Sequence, residues 1–199
     1  MAPGAAPLNI LLLGIQGSGK GTQAKRIAAE YGIPHVSTGD ILRSEIERGT
    51  ELGREVDEIL ARGDLVPDDT MIDLIRSRLA QPDTAEGFVL DGFPRTMAQA
   101  EALDNVLDEI GKPLSIVFEL QVPDELARER LLQRARDEGR ADDSPEAIDR
   151  RIDLYHRETE PIVSHYRGRG NLVGIHGTGT VDQVFAEIAD ALEQTAVRQ

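Results

Sequence analysis

With 199 residues, the chain is long enough for one globular domain, and its formal net charge of −14 argues against nonspecific nucleic-acid binding. No apolar run approaches the roughly 20 residues of a membrane span, so we expect neither a nucleic-acid nor a membrane partner. The absence of cysteine excludes disulfides and thiolate metal sites and suits a reducing compartment such as the cytoplasm.

Residues 1–7 have neither the charged segment nor the apolar core of a signal peptide. We interpret them as a short disordered tail before a single domain at 8–199. Short apolar runs then alternate with amphipathic stretches and predict five strands: Ile10–Leu13, His35–Ser37, Phe88–Leu90, Ser115–Leu120 and Leu172–Ile175. This alternation predicts an α/β fold, a three-layer sandwich in which helices cover both faces of a parallel sheet and ligands bind at the carboxyl ends of the strands.

The first strand runs directly into the glycine-rich stretch from Gly14 to Gln23, and a helical segment, Ala24–Tyr31, follows. Glycines let the backbone N–H groups converge on an anion at a helix N-terminus, and Lys20 adds a full positive charge. This pattern, a P-loop, predicts a nucleoside triphosphate site. It departs from the common form because Gly21 separates Lys20 from the hydroxyl of Thr22. A glycine-rich loop that merely contains a lysine is the alternative.

The second strand leads into Ser37-Thr38-Gly39-Asp40-Ile41-Leu42-Arg43. Thr38 and Arg43 are candidates to bind a base edge and a phosphate, although an ordinary helix N-cap explains the stretch equally well. The polar segment Thr38–Pro67, which glycines interrupt, is inserted before the third strand. We interpret this segment as a mobile cover over the ligand edge of the sheet.

The third strand ends in Asp91-Gly92-Phe93-Pro94-Arg95. An acidic residue at the end of a strand beside a phosphate loop can orient the water shell of Mg²⁺, and Asp91 is the candidate. Taken alone, an Asp-Gly turn is the simpler explanation. Arg95 would then lie near phosphate, where its planar guanidinium can bind two oxygens.

Eight arginines are concentrated between Arg128 and Arg157. This concentration fits a small polyanion better than a long nucleic acid, although a solvated, salt-bridged helix face is the alternative for any single arginine. The charged stretch Ala135–Asp143 is predicted to be a second mobile cover. The histidines lie outside the motifs and are interpreted as structural: His35, His156, His165 and His176.

The remaining helices are predicted at Thr70–Leu79, Thr96–Ile110 and Val181–Leu192. Capping boxes begin at Thr96 and Thr180, and Ser144-Pro145 is typical of an N-cap followed by proline at the first helical position. Pro161 is predicted to kink or end the helix that starts there.

Taken together, these motifs resemble the adenylate kinases, members of the nucleoside monophosphate kinase family, from Leu8 to Leu192. The resemblance rests on six stretches in the right order and spacing: Gly14 to Gln23, Ser37 to Arg43, Gly63-Asp64-Leu65-Val66, Asp91 to Gln99, Gly139 to Asp143, and Arg151. In that family the lysine is followed by Gly-Thr, as it is here. The resemblance implies a reversible reaction, MgATP + AMP ⇌ MgADP + ADP, in a monomer whose partners are ATP, AMP and ADP.

The resemblance also implies a role for individual residues. The phosphates of ATP would be bound by Gly17, Ser18, Gly19, Lys20, Gly21 and Thr22. Arg134 would face ATP, and the backbone near Gly179, or the neighbouring Gly177, would contact its adenine. Mg²⁺ would enter with ATP and be held by Asp91 through water. AMP would be contacted by Thr38, Arg43, Asp64, Leu65, Val66, Gly92, Phe93, Pro94, Arg95 and Gln99, and Arg140 and Arg151 would bridge to the transferring phosphoryl group.

The catalytic set implied is Lys20, Arg95, Arg134, Arg140 and Arg151, with an insertion for the monophosphate at 37–66 and a lid at 134–144. The lid is the short form and the chain has no cysteine, so we expect no zinc. Gln16 replaces the usual proline of the loop, which implies a less rigid loop.

Two alternatives remain at this point. A kinase for UMP or CMP is the nearer one, and Thr38 and Gln99 favour adenine over pyrimidine. A non-catalytic nucleotide-binding module is the other, and it has no need for both sets of arginines. A signalling GTPase is disfavoured because the chain contains no Asn-Lys-x-Asp.

Overall fold

Five parallel strands form one sheet in the order β2–β3–β1–β4–β5 in the computed structural model, which describes residues 7–196. The strands are β1 (Leu8–Leu13), β2 (His35–Ser37), β3 (Gly87–Asp91), β4 (Ile116–Gln121) and β5 (Leu172–His176). The first strand in the chain is central in the sheet, because β1 pairs with β3 on one side and with β4 on the other. The predicted parallel sheet is confirmed. The predicted tail, residues 1–7, lies outside the described residues except for Pro7.

Helices connect the strands and cover the sheet. They are α1 (Lys20–Tyr31), α2 (Thr38–Glu47), α3 (Glu51–Ala61), α4 (Asp68–Leu79), α5 (Met97–Glu109), α6 (Asp124–Glu138), α7 (Pro145–Leu154), α8 (Glu160–Gly168) and α9 (Val181–Ala196). A π turn, Tyr155–Thr159, joins α7 to α8, and a 3₁₀ turn, Ala141–Asp143, follows α6. None of the helices within residues 7–196 has the length and apolar character that crossing a bilayer requires.

Alternate residues of β1 enter two different cores. Leu11 and Leu13 pack with residues of α4, α5 and α8, whereas Ile10 and Leu12 pack with residues of α1 and α9. All four side chains are almost fully buried. Because successive side chains of a strand point to opposite faces, this pattern shows that both faces of the sheet are covered, as a parallel sheet requires.

The last helix packs against the first. In the contact between α1 and α9, Gln23 Nε2 donates to the Val181 carbonyl at 3.0 Å. Arg26 forms an ion pair with Asp182 at 2.6 Å and lies over the Phe185 ring, 4.3 Å from its centroid. The start of α9 is therefore attached to the helix that follows the phosphate loop.

Most predicted boundaries lie within a few residues of the observed ones, and two differences have clear causes. The first helix begins at Lys20 rather than Ala24, because the last residues of the glycine-rich loop already form its first turn. The stretch from Ala135 was predicted to stand apart as a cover, but residues 135–138 belong to α6. That helix continues until Gly139, whose left-handed backbone and N–H bond to the Ala135 carbonyl end it.

Two of the three capping predictions agree fully with the hydrogen bonds, and the box at Thr96 forms only in part: Thr96 Oγ1 accepts from the Gln99 N–H at 3.2 Å, but Gln99 Oε1 accepts from the Arg95 N–H and not from that of Thr96. Thr180 Oγ1 accepts from the Gln183 N–H at 3.3 Å and Gln183 Oε1 accepts from the Thr180 N–H at 2.9 Å, a reciprocal capping box. Ser144 Oγ accepts from the Ala147 N–H at 3.2 Å ahead of Pro145. The π turn immediately before α8 is the interruption that the Pro161 prediction anticipated.

Candidate active site

The loop between β1 and α1, residues 14–19, curls at the carboxyl end of the central strand. The Ser18 N–H donates to the Ile15 carbonyl at 3.1 Å, which closes the turn. Gly17 has a φ of 86°, and a Cβ there would lie 2.4 Å from the Ala127 carbonyl oxygen, so only glycine fits between the loop and α6. The first N–H groups of α1 point out of this loop without helical partners and can bind an anion.

Lys20 closes the loop on itself. Its Nζ donates to the carbonyl oxygens of Gly14 at 2.6 Å and Ile15 at 2.9 Å. The pKa of Lys20 is lowered to about 8 in total. Burial is the largest cause, because desolvation disfavours the ammonium; the charges of Arg95 and Arg134 also lower the pKa, and Asp91 opposes them. The ammonium is therefore held where an incoming phosphate would restore a strong counter-charge.

Asp91 ends β3 beside this loop and faces His35 at the start of β2. The distance between Asp91 Oδ2 and His35 Nε2 is 3.6 Å, and both side chains are largely buried. A Cβ on Gly21 would lie 3.5 Å from Asp91 Oδ2, so the carboxylate reaches the first turn of α1. Carboxylate and hydroxyl oxygens are suitable ligands for Mg²⁺ or its waters, and Asp91 with Thr22 supplies that donor set. Within residues 7–196, no three His, Asp or Glu side chains lie close enough together to hold a metal ion.

Two arginines share one buried carboxylate on the opposite wall. Asp143 accepts from Arg134 through both of its oxygens, at 2.7 and 2.8 Å, and from Arg151 at 2.8 Å. Arg151 also donates to Asp142 at 2.6 Å. Burial opposes the charge of Arg134, but its hydrogen bonds to Asp143 outweigh this and raise its pKa. Arg134 is thus held near the cavity in the charged form, and Arg151 shares its partner Asp143.

Arg95 lies in the loop after β3, where the Phe93–Pro94 peptide is cis. Its Nε donates to the Gly92 carbonyl at 2.8 Å, and its backbone N–H donates to Gln99 Oε1 at 2.8 Å. The pKa of Arg95 is lowered to about 10, mainly by burial and next by the positive charge of Arg151. The guanidinium is thus desolvated and close to another cation, a position that an anion would stabilise.

These groups surround one cavity of about 480 Å³. Most of the residues that the sequence assigned to the site line it: Gly17, Gly19, Lys20, Gly21, Thr22, Arg43, Asp91, Gly92, Phe93, Pro94, Arg95, Arg134, Arg140 and Arg151. The assigned residues that do not line it are Ser18, Thr38, Asp64, Leu65, Val66, Gln99 and Gly179. The cavity therefore brings the phosphate loop and both sets of arginines together.

The assigned residues outside the cavity have other partners. Asp64 is bound by Arg62 at 3.1 Å and by Arg150 on a separate surface between α3 and α7. Thr38 is buried, with its hydroxyl 3.5 Å from the Asp91 carbonyl. Gln99 is buried behind Arg95, where its Nε2 donates to Asp68 at 2.8 Å and its N–H to Thr96 Oγ1 at 3.2 Å. Thr96 therefore caps α5, but the Gln99 side chain does not complete the capping box, because its Oε1 accepts from the Arg95 N–H. The predicted contact of Gln99 with adenine stays a prediction.

Sequence reasoning missed several residues of the cavity. Arg130 lines it and donates to the Gly177 carbonyl at 3.0 Å, which connects α6 to the loop after β5. Arg130 was counted among the concentrated arginines, but no motif distinguished it from its neighbours. His35 was interpreted as structural, yet it also lines the cavity. Asp143 lies in a recognised stretch, and only its burial reveals that it pairs with two arginines.

The arrangement suits the binding of two phosphate-bearing groups and the stabilisation of negative charge between them. Lys20 and the N-terminus of α1 supply positive charge to one part of the cavity lining, and Arg95 and Arg43 are further cations of that lining. Arg134, Arg140 and Arg151 line the same cavity. Such a site can position two phosphates and neutralise their oxygens, which is the main requirement of phosphoryl transfer.

Comparison with known proteins agrees with this geometry. The family model for adenylate kinase matches residues 12–171. An adenylate kinase of Stenotrophomonas maltophilia (strain K279a) is 48% identical over 186 residues, covering 94% of this chain and 100% of that protein. The adenylate kinase of Xanthomonas euvesicatoria pv. vesicatoria (strain 85-10) is 48% identical over 185 residues, 93% and 99% of the two chains. That of Phocaeicola vulgatus (strain ATCC 8482) is 46% identical over 187 residues, 94% and 99%.

The matched region includes the whole phosphate loop, the end of β1, the strands β2, β3 and β4, and the arginines of the opposite wall. A phosphate loop, a cation-lined cavity and near full-length similarity therefore lead to one conclusion: the chain belongs to the adenylate kinase family.

Proposed function

We propose that this chain transfers the terminal phosphoryl group of MgATP to AMP, reversibly, and releases MgADP and ADP. The observation that carries the proposal is the single cavity in which the phosphate loop with Lys20 and the loop with Arg95 both end. Two separate anion sites in one enclosure are what a donor and an acceptor phosphate need, whereas a nucleotide-binding module needs only one. The family to which the chain belongs supports the same reaction.

ATP is proposed to bind with its phosphates on Gly17–Thr22. The N–H groups of the loop and of the first turn of α1 donate to the phosphate oxygens, and Lys20 exchanges its contacts with Gly14 and Ile15 for the outer phosphates. Arg134 binds the triphosphate from the other wall, and the backbone around Gly179 contacts adenine. Asp91 would hold Mg²⁺ through its waters, and the ion would supply charge neutralisation to the triphosphate.

AMP is proposed to bind at the other end of the cavity. Arg95 and Arg43 bind its phosphate, and Thr38 with Gln99 contacts its base. Asp64, Leu65 and Val66 would reach the base and sugar only after a movement of the insertion at 37–66, because Asp64 is bound to Arg62 and Arg150 outside the cavity.

In the transfer step, a phosphate oxygen of AMP forms the new bond to the terminal phosphorus of ATP, and the bond from that phosphorus to the bridging oxygen breaks. The bridging oxygen keeps the bonding electrons and carries the negative charge away on the ADP that derives from ATP. Arg140 and Arg151 line the same cavity and would neutralise the oxygens of the group in transit. No residue has to accept a proton or form a covalent bond, so positioning and charge provide the catalysis.

Water would compete with AMP as the acceptor, so the site must close before transfer. We propose that residues 37–66 close over AMP and that the lid, residues 134–144, closes over ATP. Because the chain has no cysteine, Glu55→Cys with Glu101→Cys would provide the only two sites for spin labels. The distance between the labels should shorten on adding a bisubstrate analogue, and an unchanged distance would remove closure of this segment from the proposal.

The direct test is to mix purified protein with MgATP and AMP, CMP, UMP or GMP in turn and to follow ADP formation. Fast turnover with AMP, abolished by EDTA and by Lys20→Met, is the expected result. A preference for UMP or CMP would identify another monophosphate kinase, and ATP binding without transfer would identify a binding module. Near-normal turnover of folded Lys20→Met would exclude Lys20 from catalysis.

A further inference from the structure

The π turn at Tyr155–Thr159 interrupts the helix that forms one wall of the cavity. Its defining bond runs from the Glu160 N–H to the Tyr155 carbonyl, five residues earlier. Pro161 lacks an N–H and cannot continue the regular ladder here, which accounts for the local widening. The turn brings Tyr155 and Thr159, its first and last residues, to the cavity, and both are mostly buried.

Thr159 makes a bond that joins distant parts of the chain. Its Oγ1 donates to the Arg95 carbonyl at 2.8 Å, across 64 positions of sequence. The Arg95 N–H is held at the same time by Gln99 Oε1 at 2.8 Å. Both backbone polar groups of Arg95 are thus fixed by side chains rather than by a helix or strand.

If the backbone of Arg95 were free to move, its guanidinium would tend to turn out of the cavity toward water. It is desolvated and close to the cationic Arg151, and these two effects lower its pKa to about 10. Until an anion arrives, such a group gains free energy by turning toward water. A fixed backbone limits that movement and keeps the guanidinium ready for phosphate.

We propose that Thr159 is a positioning residue, which acts through its hydroxyl on the Arg95 carbonyl to hold Arg95 for the phosphate of the acceptor nucleotide. The proposal rests on the assignment of Arg95 to AMP under the proposed function. It adds a residue of the π turn to the AMP site, although Thr159 itself need not touch the nucleotide.

Thr159→Val removes the hydroxyl and keeps the shape, whereas Thr159→Ser keeps the hydroxyl. Thr195→Val is a matched control, because Thr195 Oγ1 also donates to a carbonyl, that of Ala191 at 2.9 Å, within α9 and away from the cavity. We expect Thr159→Val to raise the KM for AMP and the Kd of AMP about tenfold, since a buried carbonyl loses its partner. The KM for ATP should change less than about twofold, and Thr159→Ser and Thr195→Val should resemble the unmodified chain.

Equal increases in both KM values would mean that Thr159 supports the fold in general, and an unchanged KM for AMP would overturn the proposal. A Thr159→Ser variant as impaired as Thr159→Val would also overturn it. Amide hydrogen exchange over residues 92–99 provides a readout that needs no turnover. It should accelerate in Thr159→Val and not in Thr195→Val, so the role of Thr159 is tested even if the unmodified chain fails to use AMP.

Discussion

The buried ammonium of Lys20 should make ATP binding depend on pH in a range where the nucleotide itself no longer titrates. With its pKa lowered to about 8, Lys20 in the nucleotide-free protein is about 90% charged at pH 7 and about 10% charged at pH 9. Bound phosphate favours the charged form and raises that pKa again. Binding above pH 8 must therefore take up a proton, and the affinity for ATP should fall about tenfold between pH 7 and pH 9.

Titration calorimetry of MgATP binding at pH 8, in two buffers with different ionisation enthalpies, measures this uptake. About half a proton should be taken up per nucleotide bound, since Lys20 is uncharged in half of the molecules at this pH. Lys20→Arg is the matched variant, because arginine stays charged throughout this range and should show no uptake. AMP offers an internal control: Arg95, with its pKa near 10, is charged at pH 9, so the affinity for AMP should hold while that for ATP falls.

A Kd for ATP that is the same at pH 7 and pH 9, with no proton uptake at pH 8, would refute the reasoning. It would mean that Lys20 is not enclosed by Gly14 and Ile15 in solution, or that it does not bind the nucleotide. A parallel loss of AMP affinity would point instead to a general change in the protein.

Asp143→Ala should lower the free energy of unfolding by about 3–5 kcal/mol, because two arginines lose their buried anion, and an unchanged thermal midpoint would contradict the pairing. Gly17→Ala should lower the free energy of unfolding in urea more than Gly19→Ala does. Both glycines have a positive φ, but only at Gly17 does a carbonyl oxygen occupy the space of a Cβ, and equal decreases would contradict this close approach. The hydrogen bonds that His156 donates to the carboxylates of Glu160 and Asp124 raise its pKa, so its contribution to stability is complete below about pH 6.5 and is lost as pH rises through the raised value. His156→Gln should remove this decrease in the free energy of unfolding with rising pH. A variant whose free energy of unfolding keeps the same pH dependence would show that other groups cause it.

The sheet and the phosphate loop could be predicted because they depend on local patterns. Apolar runs such as Ile10–Leu13 fit only buried strands, and the glycines and Lys20 have a fixed spacing that the helix N-terminus explains. The end of α6 was harder to predict, because residues 136–138 are all charged, and a solvated helix and a loop have similar compositions.

The site beyond the loop depends on contacts between distant residues, which the sequence does not display. Asp143 is one of many acidic residues until the fold buries it between two arginines. His35 and Arg130 reach the cavity because of where β2 and α6 lie, and neither belongs to a motif that assigned it a role in the site. The π turn was only foreshadowed by Pro161, and nothing near Thr159 in sequence indicates that it would contact Arg95.

The position of the first strand at the centre of the sheet sets an order for biosynthesis. Among the described elements, β1 is synthesised well before its neighbours β3 and β4, and α9, which packs on α1, follows all of them. The nascent phosphate loop therefore lacks its support until α9 has been translated, and such long-range pairing is slow. A ribosome-stalled chain that ends before Val181 should leave α1 accessible to protease, whereas a stalled chain that has fully exposed α9 should protect it.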